Sequence, residues 1–193
     1  MRKIDIDVEN PIDNIIIHIA EKGSPIYKEL KMTPNHLTTI SVMCNILSCM
    51  LLYKRKTYLS ALIFLIGYYF DCADGFYARK YDMVTKFGDY YDHVNDNLRL
   101  ILILIIMFMI SPCKLFKILP IILLLGLMAS IHLGCQEKIY HKKTEHSEES
   151  PTLEPLKNIC FGNRTEANEA IQLTKYFGCG TFFIIFAGFI ATF

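Results

Sequence analysis

Residues 70–97 read FDCADGFYARKYDMVTKFGDYYDHVNDN, and this stretch decides the fold because it sets aspartates where apolar helices should run. Hydrophobic segments flank it on both sides, Tyr58 to Phe70 before and Leu98 to Ile110 after. A carboxylate on a membrane helix is costly, so four of them on two adjoining apolar segments imply an ion or a proton to handle. Asp71 and Asp74 are three apart, and Gly75 and Ala78 follow each by four, so all share one helical face. Gly88, Asp92 and Asp96 recur every four residues on the next segment, again two carboxylates on one face beside a cleft opened by glycine. Two antiparallel helices joined by RKYDMVTKF (79–87) bring the faces together around a space suited to magnesium or manganese. Magnesium keeps its waters and prefers one or two carboxylates plus phosphate oxygens, so a diphosphate ligand fits better than a structural metal.

Written as a pattern, the stretch is D-x2-D-G-x2-A-R-x8-G-x3-D-x3-D. It resembles the signature of the CDP-alcohol phosphatidyltransferases, with every position filled and no gap, and a motif of this length is far more specific than a lone glycine triplet. Upstream, TPNHLTTI (33–40) is similar to the Pro-Asn-x-x-Thr that opens the first membrane helix of that family. The resemblance covers the first half of the chain; beyond about residue 100 only a hydrophobic pattern remains.

The resemblance implies displacement of CMP from a CDP-linked lipid or alcohol by the hydroxyl of a second alcohol. It assigns Asp71, Asp74, Asp92 and Asp96 to two magnesium or manganese ions, with Asp96 also the general base. Gly75, Ala78 and Gly88 would let a nucleotide pack near the backbone, Arg79 would bind its phosphates, and Asn35 and Thr38 would add hydrogen bonds. Close helix packing accounts equally for the small residues, and a cytoplasmic anchoring charge for Arg79. A homodimer is also implied. His93 belongs to an Asp-His-x-x-Asp run that loosely resembles the aminoalcohol branch, which uses CDP-choline or CDP-ethanolamine and diacylglycerol. The acceptor is left open among glycerol 3-phosphate, inositol or its phosphate, serine and diacylglycerol.

Arg99 follows Asp96 by three and Asp92 by seven, which extends the carboxylate face deeper into the helix. It binds either an anionic acceptor or, the plainer reading, a carboxylate beside it, since a buried guanidinium needs a partner in any case. Asp89 reads as solvated at a helix start, where its charge suits the dipole. His132 reads as a hydrogen-bonded helix histidine.

The composition agrees with an all-α integral membrane protein, a single domain over residues 1–193 built as a bundle of five to six transmembrane helices. Its 52% hydrophobic content is above the roughly 45 to 50% of soluble proteins. The apolar blocks are His36 to Tyr53, Tyr58 to Phe70, Leu98 to Ile110, Leu115 to Leu133 and Tyr176 to Phe193. The two short ones reach spanning length only by running into the motif, which places the carboxylates inside spans. Within 11–31, the isoleucines 12, 15, 16 and 19 keep helical spacing with Asp13, Asn14 and Glu21 elsewhere on the wheel, an amphipathic juxtamembrane helix lying in the interface. Gly23, Ser24 and Pro25 are expected to break it. Residues 137–175 are expected to form a polar cytoplasmic linker or reentrant segment, LKNICFGNRTEANEAIQL (156–173) being too polar for a lipid-facing span. The seven cysteines, with no C-x2-C pair, read as free, small buried hydrophobes.

Lys54, Arg55, Lys56, Lys114 and Lys117 fall on one side of the spans and the other basic residues outside them, from Arg2 to Lys175, on the opposite side. Positive charge collects in the cytoplasm, so the N-terminus and the Asp71 to Asp96 face are expected there, and MRKIDIDVEN shows no cleavable signal. A net charge of +1 with no basic run among aromatics argues against nucleic acid. Two rivals share the aspartate-rich helices. An intramembrane prenyltransferase lacks the Ala-Arg and Gly-x3-Asp-x3-Asp arrangement, and a cation transporter would use the carboxylates as its ion path.

Overall fold

The computed structural model describes residues 2, 4–140, 154–160 and 162–193, and among these residues the regular structure is entirely helical. Helix α1 spans Pro11–Glu29, α2 Pro34–Tyr53, α3 Thr57–Lys80, α4 Lys86–Ile110 and α5 Pro112–Tyr140. A 3-10 turn at Glu154–Ile159 precedes α6 (Arg164–Thr174), and a second turn at Lys175–Phe177 leads to α7 (Cys179–Thr192). Five segments are long and apolar enough to cross a membrane: α2, α3, α4, α5 over Pro112–Ile139, and Thr165–Thr192, which joins α6 to α7. Part of the expected linker at 137–175 falls on residues outside those described.

Helix α3 is central, packed on α1, α2 and α7, while α2 bridges α3 and α4. Close backbone approach between α3 and α4 is sparse, so their carboxylate faces meet across a gap that side chains fill. The main core joins Leu52, Phe64, Tyr68, Ile103, Met107 and Phe186 from α2, α3, α4 and α7. Large apolar side chains such as Met43, Leu62, Ile105 and Leu123 stay exposed on the outside of the bundle, as lipid-facing helix surfaces require.

Two expectations are corrected. Helix α1 is not broken at Gly23-Ser24-Pro25 but runs through it. A proline cannot donate to the carbonyl four residues back, and here Ser24 Oγ donates to that carbonyl of Glu21 instead, at 2.7 Å. Ile15 and Ile19 stay exposed on the outer side of α1, while Asp13, Ala20 and Ser24 are buried. The small and polar side of α1 packs inward, where the middle and C-terminal end of α3 and the first turn of α7 offer it hydrogen-bond partners.

Nor are all the cysteines free, because Cys135 and Cys160 form a disulfide. The turn at 154–159 folds back on α5 so closely that a Cβ on Gly134 would overlap the Leu156 carbonyl oxygen. Cys44, Cys49, Cys72, Cys113 and Cys179 are free. The polar stretch before α7 does form a helix, capped by Asn163, whose side chain accepts from the amides of Thr165 (3.0 Å) and Glu166 (3.1 Å). Its Ala167 and Ile171 pack against the disulfide and Ile4, which gives this segment a small core of its own.

Candidate metal and diphosphate site

The loop between α3 and α4 is only Tyr81 to Thr85, with Asp82 in the left-handed region at φ 54°. Thr85 caps α4, its Oγ1 accepting from the Gly88 amide at 3.0 Å, and this fixes where the first turn of α4 begins. From that start, Asp92 and Asp96 turn toward α3. One carboxylate oxygen each from Asp71, Asp92 and Asp96 lies within 4.8 Å of the others. Three of the four expected ligands therefore converge.

Asp74, the fourth, is 4% exposed and accepts a hydrogen bond at Oδ2 from Thr38 Oγ1 of α2. The α2 residues named in the sequence thus reach the site by different routes. Thr38 touches a carboxylate directly, whereas the Asn35 amide oxygen would lie 3.1 Å from a Cβ placed on Gly88. Gly88 is needed there for the close approach of α2 to α4. One turn on, Thr39 Oγ1 and Tyr91 Oη are 3.2 Å apart and tie the same two helices. Gly75 has the Arg79 guanidinium folded across it, 3.2 Å from the position a Cβ would take, and Ala78 is half-buried beside it.

Arg99 is the deepest group of the site. Its Nη2 donates to Asp96 Oδ1 and, at 3.5 Å, to Asp71 Oδ2, so the ion pair is the role of Arg99 that the structure contains. The side chain is fully buried, and its other donors, Nε and Nη1, have no hydrogen-bond partner. They face aromatic rings, the guanidinium carbon lying 4.4 Å from the centroid of Phe183, 5.7 Å from Phe64 and 5.8 Å from Tyr68. No motif singled out these three rings. The only sequence signal was apolar aromatics at helical spacing, which any core helix shows.

Two carboxylate oxygens, Asp71 Oδ1 and Asp92 Oδ1, are buried with no hydrogen-bond partner. Orphaned buried acceptors are costly, and a hard divalent cation is the ligand that satisfies them with oxygen donors alone. The donor set fits magnesium or manganese. His93 turns away from this cluster, its Nδ1 within 2.8 Å of the Asp89 carbonyl oxygen and 3.6 Å of the Asp89 carboxylate. His132 is buried between Gln136 and Thr174, at 2.9 and 3.2 Å, as a hydrogen-bonded helix histidine.

The model of the family described as CDP-alcohol phosphatidyltransferase matches residues 31–160. Among curated proteins, an archaetidylinositol phosphate synthase of Pyrococcus horikoshii is 31% identical over 51% of this chain and 48% of its own length. A CDP-diacylglycerol–glycerol-3-phosphate 3-phosphatidyltransferase of Rickettsia typhi is 36% identical over 36% of the chain and 40% of its own. A probable CDP-diacylglycerol–inositol 3-phosphatidyltransferase of Arabidopsis thaliana is 29% identical over 68% and 56%. The chain spans about half the length, or less, of the curated relatives it matches. No solved structure matches.

Proposed function

The chain belongs to the CDP-alcohol phosphatidyltransferase family, and from that premise we propose that it transfers a phosphatidyl group from CDP-diacylglycerol to the hydroxyl of a second alcohol, releasing CMP. The observation that carries this reading is the convergence of Asp71, Asp92 and Asp96 within 4.8 Å, with two of their oxygens buried and unpartnered. CDP-diacylglycerol is preferred to CDP-choline or CDP-ethanolamine because two of the relatives above carry it in their names.

Asp71, Asp92 and Asp96 would hold the divalent ions, with Asp74 kept in place by Thr38. Bound magnesium or manganese would neutralise the diphosphate of the donor. Asp96 is the most suitable proton acceptor, since its side chain is 31% exposed against 10% for Asp71 and so is reachable from the cleft. The acceptor oxygen would bond to the lipid-side phosphorus as the P–O bond to CMP breaks, the electron pair leaving on CMP and the hydroxyl proton passing to Asp96. Arg79, folded over Gly75, would grip phosphate with its guanidinium, and Asn35 and Gly88 form the α2 to α4 edge past which the nucleotide would enter. The active face would be cytoplasmic, by the distribution of basic residues, and so open to a water-soluble acceptor.

The test is CMP release by purified protein in lipid with magnesium or manganese, CDP-diacylglycerol and glycerol 3-phosphate, inositol, inositol phosphate or serine in turn. Metal-dependent release with one alcohol, lost in Asp96→Asn, supports the reading. Release only from CDP-choline or CDP-ethanolamine with diacylglycerol replaces it by the aminoalcohol reaction, and no CMP from any pair overturns it.

A further inference from the structure

Asp13 lies outside the signature, on α1, yet it is 8% exposed and both its oxygens are bonded. Tyr68 Oη of α3 donates to Oδ1 at 2.6 Å, and the Gly180 amide of α7 donates to Oδ2 at 3.0 Å. Gly180 allows this approach, since a Cβ there would lie 2.5 Å from Asp13 Oδ1. One carboxylate on the interfacial helix therefore joins the first turn of α7 to the middle of α3.

The tyrosine it holds is one helical turn before Asp71. The Tyr68 ring lies against Phe183 with centroids 4.3 Å apart, and the two rings, with Phe64, back the Arg99 guanidinium. Because Nε and Nη1 find no hydrogen-bond partner in that wall, Nη2 carries the polar contacts of Arg99, to Asp71 and Asp96. The wall's position thus sets how far the guanidinium reaches toward the carboxylates.

We propose that Asp13 and Tyr68 are positioning residues for the metal-binding carboxylates: their hydrogen bond fixes the aromatic wall that presses Arg99 onto Asp71 and Asp96, so the interfacial helix sets the geometry of the cluster. This rests on the reading of that cluster as a divalent-metal site. Neither residue touches substrate. Both act through Arg99.

The experiment titrates Mn2+ into the full chain in detergent, reading free Mn2+ by electron paramagnetic resonance, for wild type, Asp13→Ala, Tyr68→Phe and the double variant. Each single change is expected to weaken half-saturation by about three- to tenfold, below the full effect typical of groups that touch a ligand directly. The double variant is expected to match the weaker-binding single, because both remove one hydrogen bond. CMP release should lose kcat with the acceptor KM unchanged. Tyr68→Phe keeps the ring and carries the test if Asp13→Ala does not fold. Half-saturation within about twofold of wild type in a folded single variant overturns the proposal, as does a double variant equal to the product of the singles. Wild type that binds Mn2+ but releases no CMP would instead remove the proposed reaction and leave this inference standing.

Discussion

Each oxygen of a carboxylate buried in a helix bundle needs a donor or a cation, and the aspartates of this site differ in what supplies it. Asp74 has Thr38, Asp71 and Asp96 share Arg99, and Asp92 Oδ1 has neither. Replacing Thr38 by alanine should lower kcat/KM for CMP release about tenfold, the size of one hydrogen bond to a charged group, while serine stays within about threefold. Asp92→Asn should separate stability from activity. It removes a buried charge whose Oδ1 has no hydrogen-bond partner, beside the carboxylates of Asp71 and Asp96, so thermal unfolding of the metal-free protein in detergent should rise by a few degrees while CMP release falls at least about a hundredfold. The sequence displayed these aspartates because their spacing is local and helical. It hid Asp13 and Tyr68, whose only mark is a contact between residues 55 apart.

At the scale of elements, α2 to α4 were legible because apolar length and the aspartate register agree on where each helix must run. In α1, Gly23-Ser24-Pro25 reads as a break, but Ser24 carries the helix past Pro25, and the side packed on the bundle is the small and polar one. Periodicity ranks faces by apolarity and cannot foresee that a carboxylate will find a tyrosine and an amide waiting. The segment before α7 was obscured for a related reason, since Ala167 and Ile171 bury against a disulfide that joins residues 25 apart. Gly134→Ala tests that packing, because its Cβ would meet the Leu156 carbonyl and the turn at 154–159 must move. The expected loss is about 1–3 kcal/mol of stability with Mn2+ affinity unchanged, measured by thermal unfolding beside the titration.

The N-terminal segment connects this packing to pH. Glu9 accepts from Gln136 Nε2 at 2.9 Å, and burial, followed by the nearby Asp13 charge, raises its carboxyl above the ordinary 4.5. The folded chain therefore binds a proton there more readily than the unfolded one. The stability contributed by this group is full below the ordinary value and is lost as pH rises through the raised one. Glu9→Gln should accordingly unfold at a higher temperature than wild type at pH 7.5, with the difference shrinking toward pH 4.

For the molecule as a whole, a bundle with lipid-facing apolar surfaces gathers its carboxylates at one end, between α3 and α4 and under α2. The order of the helices sets that end beside the start of α2, and from the basic residues gathered there we propose that it faces the cytoplasm. Single cysteines at Lys31→Cys and Lys56→Cys, on a background lacking exposed Cys113, should react with an impermeant maleimide from opposite sides of sealed vesicles. The claim on which the rest depends is that divalent metal sits among Asp71, Asp92 and Asp96. Anomalous diffraction at the manganese edge, from crystals grown with Mn2+ and a CDP-linked lipid, tests it most directly. A peak is expected within bonding distance of those three carboxylates, lost in Asp92→Asn. Crystals of protein active in CMP release that show no peak there, or manganese bound only elsewhere, would contradict it.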